Sequence, residues 1–292
     1  MTRNLAGNLA EISLQSDIKT TATHLLGGRV KLMQPKTGYR IGMDGALLAA
    51  ACAGLPKVKT ALELGCGVGG ALLSLKMRRP ALALTGIERE PDYAALAREN
   101  TRLNDFSGVT IIEGDIGQGY KALLSSPALA GTFVPREAAR RSPLEAKSVT
   151  EGAKPSPRFD LVFSNPPYFD DPETLRAPHE TKRPAWIADD GLPAWLDFAQ
   201  SAVVDNGHIV FIHRADRLAD ILSGLSKKCG SFVIRPIQPF ADKDAKRVLV
   251  RTQRLGKAPL RLLPPLVLHD NGARKHTPEV ESILRGEAEL NW

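Results

Sequence analysis

Residues 60–70 read Thr-Ala-Leu-Glu-Leu-Gly-Cys-Gly-Val-Gly-Gly. The apolar run TALEL at 60–64 passes straight into a glycine-rich turn, and GALLSLKMR at 70–78 follows with the make-up of a helix. A buried strand that feeds a helix through such a turn is the opening unit of an α/β sheet. The alternation continues downstream, with strand-like runs at 82–88 (LALTGIE), 109–113 (VTIIE), 159–164 (FDLVFS) and 208–213 (HIVFIH). Between them, 91–103 has Pro91 in its first turn and stacks Tyr93, Leu96 and Ala97 on one face. Leu192, Leu196, Ala199 and Val203 repeat at helical spacing. A further helix around 216–228 precedes two β-rich runs, 231–240 and 246–255, joined by the hairpin-length ADKDA. This order predicts a doubly wound, mostly parallel, seven-stranded Rossmann-like sheet that ends in an antiparallel hairpin.

The chain has 292 residues, of which 43% are apolar and 24% charged. That length suits one large domain or two modest ones and needs neither a metal nor a disulfide staple to hold a core. No 18-residue apolar run is present, which argues against a membrane span. The opening MTRNLAGNLAEISLQSD lacks the apolar segment of a signal peptide. Cys52, Cys66 and Cys229 are odd in number and show no CxxC spacing. They speak against a disulfide framework or a zinc site, so no metal and a cytoplasmic location are expected. The organisation expected is a domain over 46–292 preceded by an extension, 1–45, that has a Gly27-Gly28 turn and packs on the ligand side. Residues 117–158 are rich in Ser, Pro and Ala without apolar period and read as an inserted mobile arm.

Charge is unevenly distributed. The whole chain carries +7, but between Lys227 and Lys275 twelve basic residues face only Asp242, Asp244 and Asp270, a net of +9. Such a segment suits a polyanion such as nucleic acid, or else is a solvated basic face. Within the arm, six cations from Arg136 to Arg158 stand against three glutamates and offer a second basic surface.

Four motifs carry the chemistry. The glycine loop brings backbone N–H groups close to a ligand and leaves the helix N-terminus open. That feature fits a dinucleotide or S-adenosylmethionine. Glu63, before Gly65 and Gly67, tips the reading to S-adenosylmethionine, because a carboxylate attracts an ammonium group and repels a pyrophosphate. Glu88, ending the next strand, has the spacing of an acid that accepts both ribose hydroxyls; the alternative is a surface acid at a strand end. Asp115 follows the third strand, where it can accept from an adenine amino group. The fourth motif is Asn165-Pro166-Pro167-Tyr168, after FDLVFS. Its prolines fix the backbone and remove N–H donors, so carbonyl acceptors converge beside an aromatic ring. An amino or amide nitrogen conjugated to a ring or carbonyl is a poor nucleophile. Accepting its hydrogens on the Asn165 side chain and the Pro166 carbonyl localises the lone pair, while Tyr168 stacks on the planar target.

With these residues the chain resembles the class I S-adenosylmethionine-dependent methyltransferases with an NPPY motif. It resembles the bacterial tRNA(Val) adenine-37 N6-methyltransferase family, through GGRVKLMQPKTGYRIGMDGALLAAA, ELGCGVGG, FDLVFSNPPYF and LVLHDNGARKHTPEVESILRG. The resemblance spans roughly 24–286 apart from 117–158. It implies cofactor contacts from Glu63, Gly65, Gly67, Glu88, Asp115 and Asn165, and target contacts from Asn165, Pro166 and Tyr168. It further implies that Arg40 and Asp44 lie over the cofactor pocket and that tRNA is the partner. A protein glutamine N5-methyltransferase, a small-molecule O-methyltransferase and a non-catalytic RNA-binding protein of this fold are the rival functions. His179 and Arg176 suit either RNA phosphate or solvent, His208 and His213 read as structural, and the three tryptophans form no stacking strip.

Overall fold

The computed structural model describes residues 19–37, 41–125, 158–167, 191–270, 272 and 275–292. Arg40, Tyr168, Arg176, His179 and most of the expected arm lie outside the described residues.

A first hairpin, β1 (Thr20–Leu25) and β2 (Val30–Pro35), turns at Gly27-Gly28 and stands apart from the main sheet. The main sheet has the order β10-β8-β9-β7-β6-β3-β4-β5, and β11 also pairs with β8. Its strands are β3 (Thr60–Leu64), β4 (Ala83–Glu88), β5 (Val109–Glu113), β6 (Phe159–Ser164) and β7 (Val203–Arg214). Beyond these come β8 (Cys229–Gln238), β9 (Arg247–Arg254) and the two-residue β10 (Arg261–Leu262) and β11 (Leu266–Val267). Only β9 runs against the others. The seven long strands and the terminal antiparallel pair are those expected. The two short strands are additions, kept short by Pro264 and Pro265, which lack the N–H that a ladder needs.

The helices are α1 (Met43–Ala53), α2 (Gly70–Arg78), α3 (Pro91–Leu103), α4 (Tyr120–Leu124), α5 (Gly191–Ala202), α6 (Leu218–Leu225) and α7 (Pro278–Leu284). They cover both faces of the sheet. The α1 helix is buried from Gly45 to Ala53, as its nearly uniform apolar sequence requires. The chain's end covers it: Leu290 N–H donates to Ala50 O, and Trp292 Nε1 donates to Ala51 O at 2.7 Å. On the opposite face α5 buries Leu192, Trp195, Leu196, Phe198 and Ala199. Val203, read as the end of that helix, opens β7 instead, because its β-branched side chain fits the pleat.

The part of the arm that is described departs from expectation. Residues 120–124 form α4, with Tyr120 and Leu123 buried and the Tyr120 ring edge-on to Phe198 at 5.4 Å. One turn of helix is too short to show an apolar period, so the sequence did not reveal it.

Candidate active site

All parallel strands point their carboxyl ends the same way, and the chemistry-bearing residues gather there. Leu64 and Ser164 are direct partners in the β3–β6 ladder, so the turns that begin at Gly65 and Asn165 leave neighbouring strands, about 4.8 Å apart. Ser164 Oγ donates to Leu64 O at 2.8 Å and pins the two exits together. The glycine motif and the Asn-Pro-Pro motif, 100 residues apart in sequence, thus begin side by side.

Gly65 and Gly67 have φ of +62° and +55°, a left-handed backbone that favours glycine. A Cβ on Gly67 would meet no atom within 4 Å, so this side of the loop is open to a ligand. At Gly65 a Cβ would lie 2.4 Å from Cη2 of Trp195, so α5 closes the other side of the loop with an indole. Trp195 was not among the sequence-predicted site residues. Its helical spacing marks it as a core residue, and its approach to Gly65 arises only in the fold. From above, Ile41 presses on Gly70, which brings the chain just after the hairpin over the loop. Asn100 of α3 secures that hairpin: it bonds Met33 N–H and Met33 O, and also donates to Val68 O within the glycine loop at 2.9 Å.

Glu88 is buried and holds the loop from the next strand. Its Oε2 accepts from Gly67 N–H at 2.8 Å, and its Oε1 accepts from Glu90 N–H at 2.9 Å. Burial raises its pKa, opposed by these N–H bonds. Each oxygen keeps a further lone pair for a hydroxyl donor. Glu63 is 3% exposed, and its Oε2 has no hydrogen-bond partner among the described residues. Burial pushes its carboxyl well above the usual range, the Leu72 backbone N–H opposes this, and the charge of Glu88 adds to it. Two neighbouring buried carboxylates, one with an orphaned oxygen, call for a cationic or donor-rich ligand. Asp115 lies one strand further, with Oδ1 accepting from Gly117 N–H at 2.8 Å. Glu63 near the end of β3, Glu88 ending β4 and Asp115 just past β5 therefore lie in a row at the carboxyl ends of three neighbouring strands.

On the other side of β6, Asp44 at the start of α1 pairs with Arg247 Nε at 3.0 Å, at the start of β9. His213, near the end of β7, is buried, and its pKa is pushed down to about 4, first by burial and then by Arg217 and Arg214. It is therefore a neutral imidazole beside the Asn-Pro-Pro exit. Cys66 is a buried, free thiol whose pKa burial raises, so it offers no thiolate.

The acceptor set fits S-adenosylmethionine, whose ammonium, ribose hydroxyls and adenine amine match an orphaned carboxylate oxygen, a clamped carboxylate and Asp115. Fold and site together define an enzyme of the S-adenosylmethionine-dependent methyltransferase class. No family profile matches the chain. It is similar to the tRNA1(Val) (adenine(37)-N6)-methyltransferase of Proteus mirabilis, 28% identical over 225 residues that cover 75% of each chain. The protein of the same name from Porphyromonas gingivalis is 27% identical over 228 residues, 76% of this chain and 77% of that one. Among solved structures, a predicted O-methyltransferase from Agrobacterium tumefaciens superposes with a TM-score of 0.61 at 25% identity, covering 85% of this chain and 98% of the other. Among the described residues no helix is long and apolar enough to cross a membrane.

Proposed function

We propose that the enzyme transfers a methyl group to the N6 amine of an adenine in tRNA, in the anticodon loop, where the base is already unpaired and extrusion costs least. The observation that carries this reading is the shared exit of the glycine loop and the Asn165-Pro166-Pro167 turn, pinned by Ser164 to Leu64. It joins a cofactor-shaped acceptor set to a turn suited to an amino nitrogen, and the names of the relatives supply the methyl acceptor.

In this reading bound S-adenosylmethionine supplies an electrophilic methyl group. Glu63 takes the ammonium end, Glu88 the ribose hydroxyls and Asp115 the adenine edge, while Gly65 and Gly67 let the backbone approach. Asn165 Oδ1 and the Pro166 carbonyl accept the two hydrogens of the target amine. Its lone pair then turns from the ring toward the methyl group; as the new C–N bond forms, the sulfonium C–S bond would break to leave the neutral thioether S-adenosylhomocysteine, and the methylated nitrogen, now acidic, would lose one N–H proton to water. Tyr168 stacks on the adenine. The turn thus acts by positioning and by fixed acceptors, without need of a strong base. Arg40 and Asp44 border the pocket, Asp44 held in place by Arg247. A cytoplasmic location accompanies a tRNA substrate.

Nucleoside mass spectrometry of tRNA from cells with and without this gene tests the reading. Loss of N6-methyladenosine on deletion supports it. Unchanged tRNA, with loss of methyl from a protein glutamine, replaces it with the N5-methylation alternative.

A further inference from the structure

The basic stretch that begins at Lys227 does not lie where the chemistry is. The β9 strand starts at the carboxyl end, where Arg247 meets Asp44, and ends seven residues later, at Arg254, at the amino end, about 24 Å away. The turn between β8 and β9 holds both acids of residues 227–262, Asp242 and Asp244, alongside Lys243 and Lys246, so that turn is balanced. At the amino end no acid of this stretch accompanies Lys227, Lys228 and Lys257, and Arg261, in register with Val233 and Arg251, extends the same edge toward mid-sheet; all four are exposed and without an ion pair among the described residues. Two loops present the three lysines, and the loops are tied together. Leu255 N–H donates to Lys228 O at 2.9 Å, and Ala258 N–H donates to Ser231 Oγ at 2.9 Å. The Gly230 and Gly256 backbones touch so closely that a Cβ on Gly230 would lie 2.2 Å from Gly256 O. Other cations nearby are already engaged. Arg254 pairs with Asp205 and donates to Gln200 O, capping α5, while Arg251 lies over the Trp292 ring at 5.0 Å and feels the like charge of Arg261.

Resting on the RNA reading above, we propose that Lys227, Lys228, Lys257 and Arg261, along the β8–β10 edge of the sheet, form a second RNA-binding surface, which holds phosphates of the tRNA body away from the methylated base. Charge complementarity carries the assignment: four open cations along one edge, three of them on a braced pair of loops, match a polyanion, and the catalytic rim has no comparable excess among the described residues. Leu255, Leu260 and Leu262, each more than half exposed, lie on the same loop and its short strand, and suit ribose faces between the phosphates.

Two substrates test this: full-length tRNA and the isolated anticodon stem-loop of the same sequence. The variant combines Lys227→Glu, Lys228→Glu, Lys257→Glu and Arg261→Glu; a milder Lys257→Ala, Arg261→Ala pair guards against misfolding. The four-fold variant should raise KM for full-length tRNA about 10- to 100-fold and flatten the log–log salt dependence of binding by about 2–3 units. The stem-loop KM, kcat and S-adenosylmethionine affinity should not change. The Ala pair should raise KM for tRNA in the same sense at an unchanged melting temperature. Equal loss on both substrates, or an unchanged KM for tRNA, overturns the proposal. So does a wild-type dimer that Leu262→Asp separates, because a second copy would then cover the patch. Direct tRNA binding keeps the two readings distinct. Binding that depends on the four cations, by an enzyme that methylates neither RNA, refutes the adenine assignment and leaves this surface in place.

Discussion

Among the described residues, Arg247 is paired with Asp44, Arg214 with Asp216, Arg217 with Asp220 and Lys243 with Asp242 at the carboxyl end of the sheet, whereas Lys227, Lys228 and Lys257 at the amino end, and Arg261 further along the same edge, make no ion pair. Among the described residues, the end that holds Glu63 and Glu88 thus has most of its surface cations paired. In the proposed reading, those buried carboxylates face a cationic cofactor. The other end leaves its cations to solvent or to a polyanion. Net charge along a sequence shows that a chain is basic, but only topology shows which end of a strand the charge occupies. Here one β-hairpin carries a neutral turn at one end and a basic loop at the other.

The comparison is broken most severely at the catalytic end. Asn165→Ala should lower turnover about 10²- to 10³-fold, as expected for loss of one group acting on the transition state, with S-adenosylmethionine affinity nearly unchanged. Steady-state kinetics and calorimetry on one preparation read both quantities. Near-normal turnover would reduce the Asn-Pro-Pro turn to a structural element. Glu88→Ala comes next. It removes the acceptor of the Gly67 N–H as well as the proposed ribose contact, and should weaken S-adenosylmethionine by roughly 10- to 150-fold. NAD should not compete, and tighter binding of NAD than of S-adenosylmethionine would contradict the cofactor assignment.

The motifs at this end were legible because each is local. TALEL, VTIIE and FDLVFS form strands with the boundaries read from sequence, and 70–78 and 91–103 form helices as read. Glu63, Glu88, Asp115 and Asn165 all lie at the one end that a parallel sheet gives them. What escaped was non-local. Trp195 reaches Gly65 from a helix 130 residues on, and Asp44 finds Arg247 across 203 residues. Arg251 and Arg254 count in sequence toward the basic segment from Lys227 to Lys275, yet they are taken up by Trp292 and Asp205. No pattern within a ten-residue window contains those partners.

A smaller effect sharpens the account of Glu63. Its raised pKa means that the folded apo-enzyme holds the charged form at a disadvantage, and its Oε2 lacks a partner. Glu63→Gln should therefore raise the stability of the cofactor-free enzyme by about 1–2 kcal/mol while weakening S-adenosylmethionine binding. Thermal melts with and without cofactor read the two signs, and a variant less stable in both states would make Glu63 a structural residue. The smallest effect concerns acid sensitivity. His208 and His213 are both held neutral, with pKa values pushed down to about 4 from 6.5. The unfolded chain takes up these protons first, so stability should be full above about pH 6.5 and fall as pH drops toward 4. For the well-buried His213 this amounts to about 1–3 kcal/mol. Denaturant unfolding across that range checks it, with a shallower loss expected in His213→Gln.

The most direct test of the central claim is methyl transfer by the purified enzyme from methyl-labelled S-adenosylmethionine to tRNA, followed by digestion and chromatography of the nucleosides. The account predicts label in N6-methyladenosine from the wild-type enzyme and almost none from Asn165→Ala, although both bind the cofactor equally. Label in another nucleoside, label confined to protein glutamine, or equal labelling by the two enzymes would contradict it.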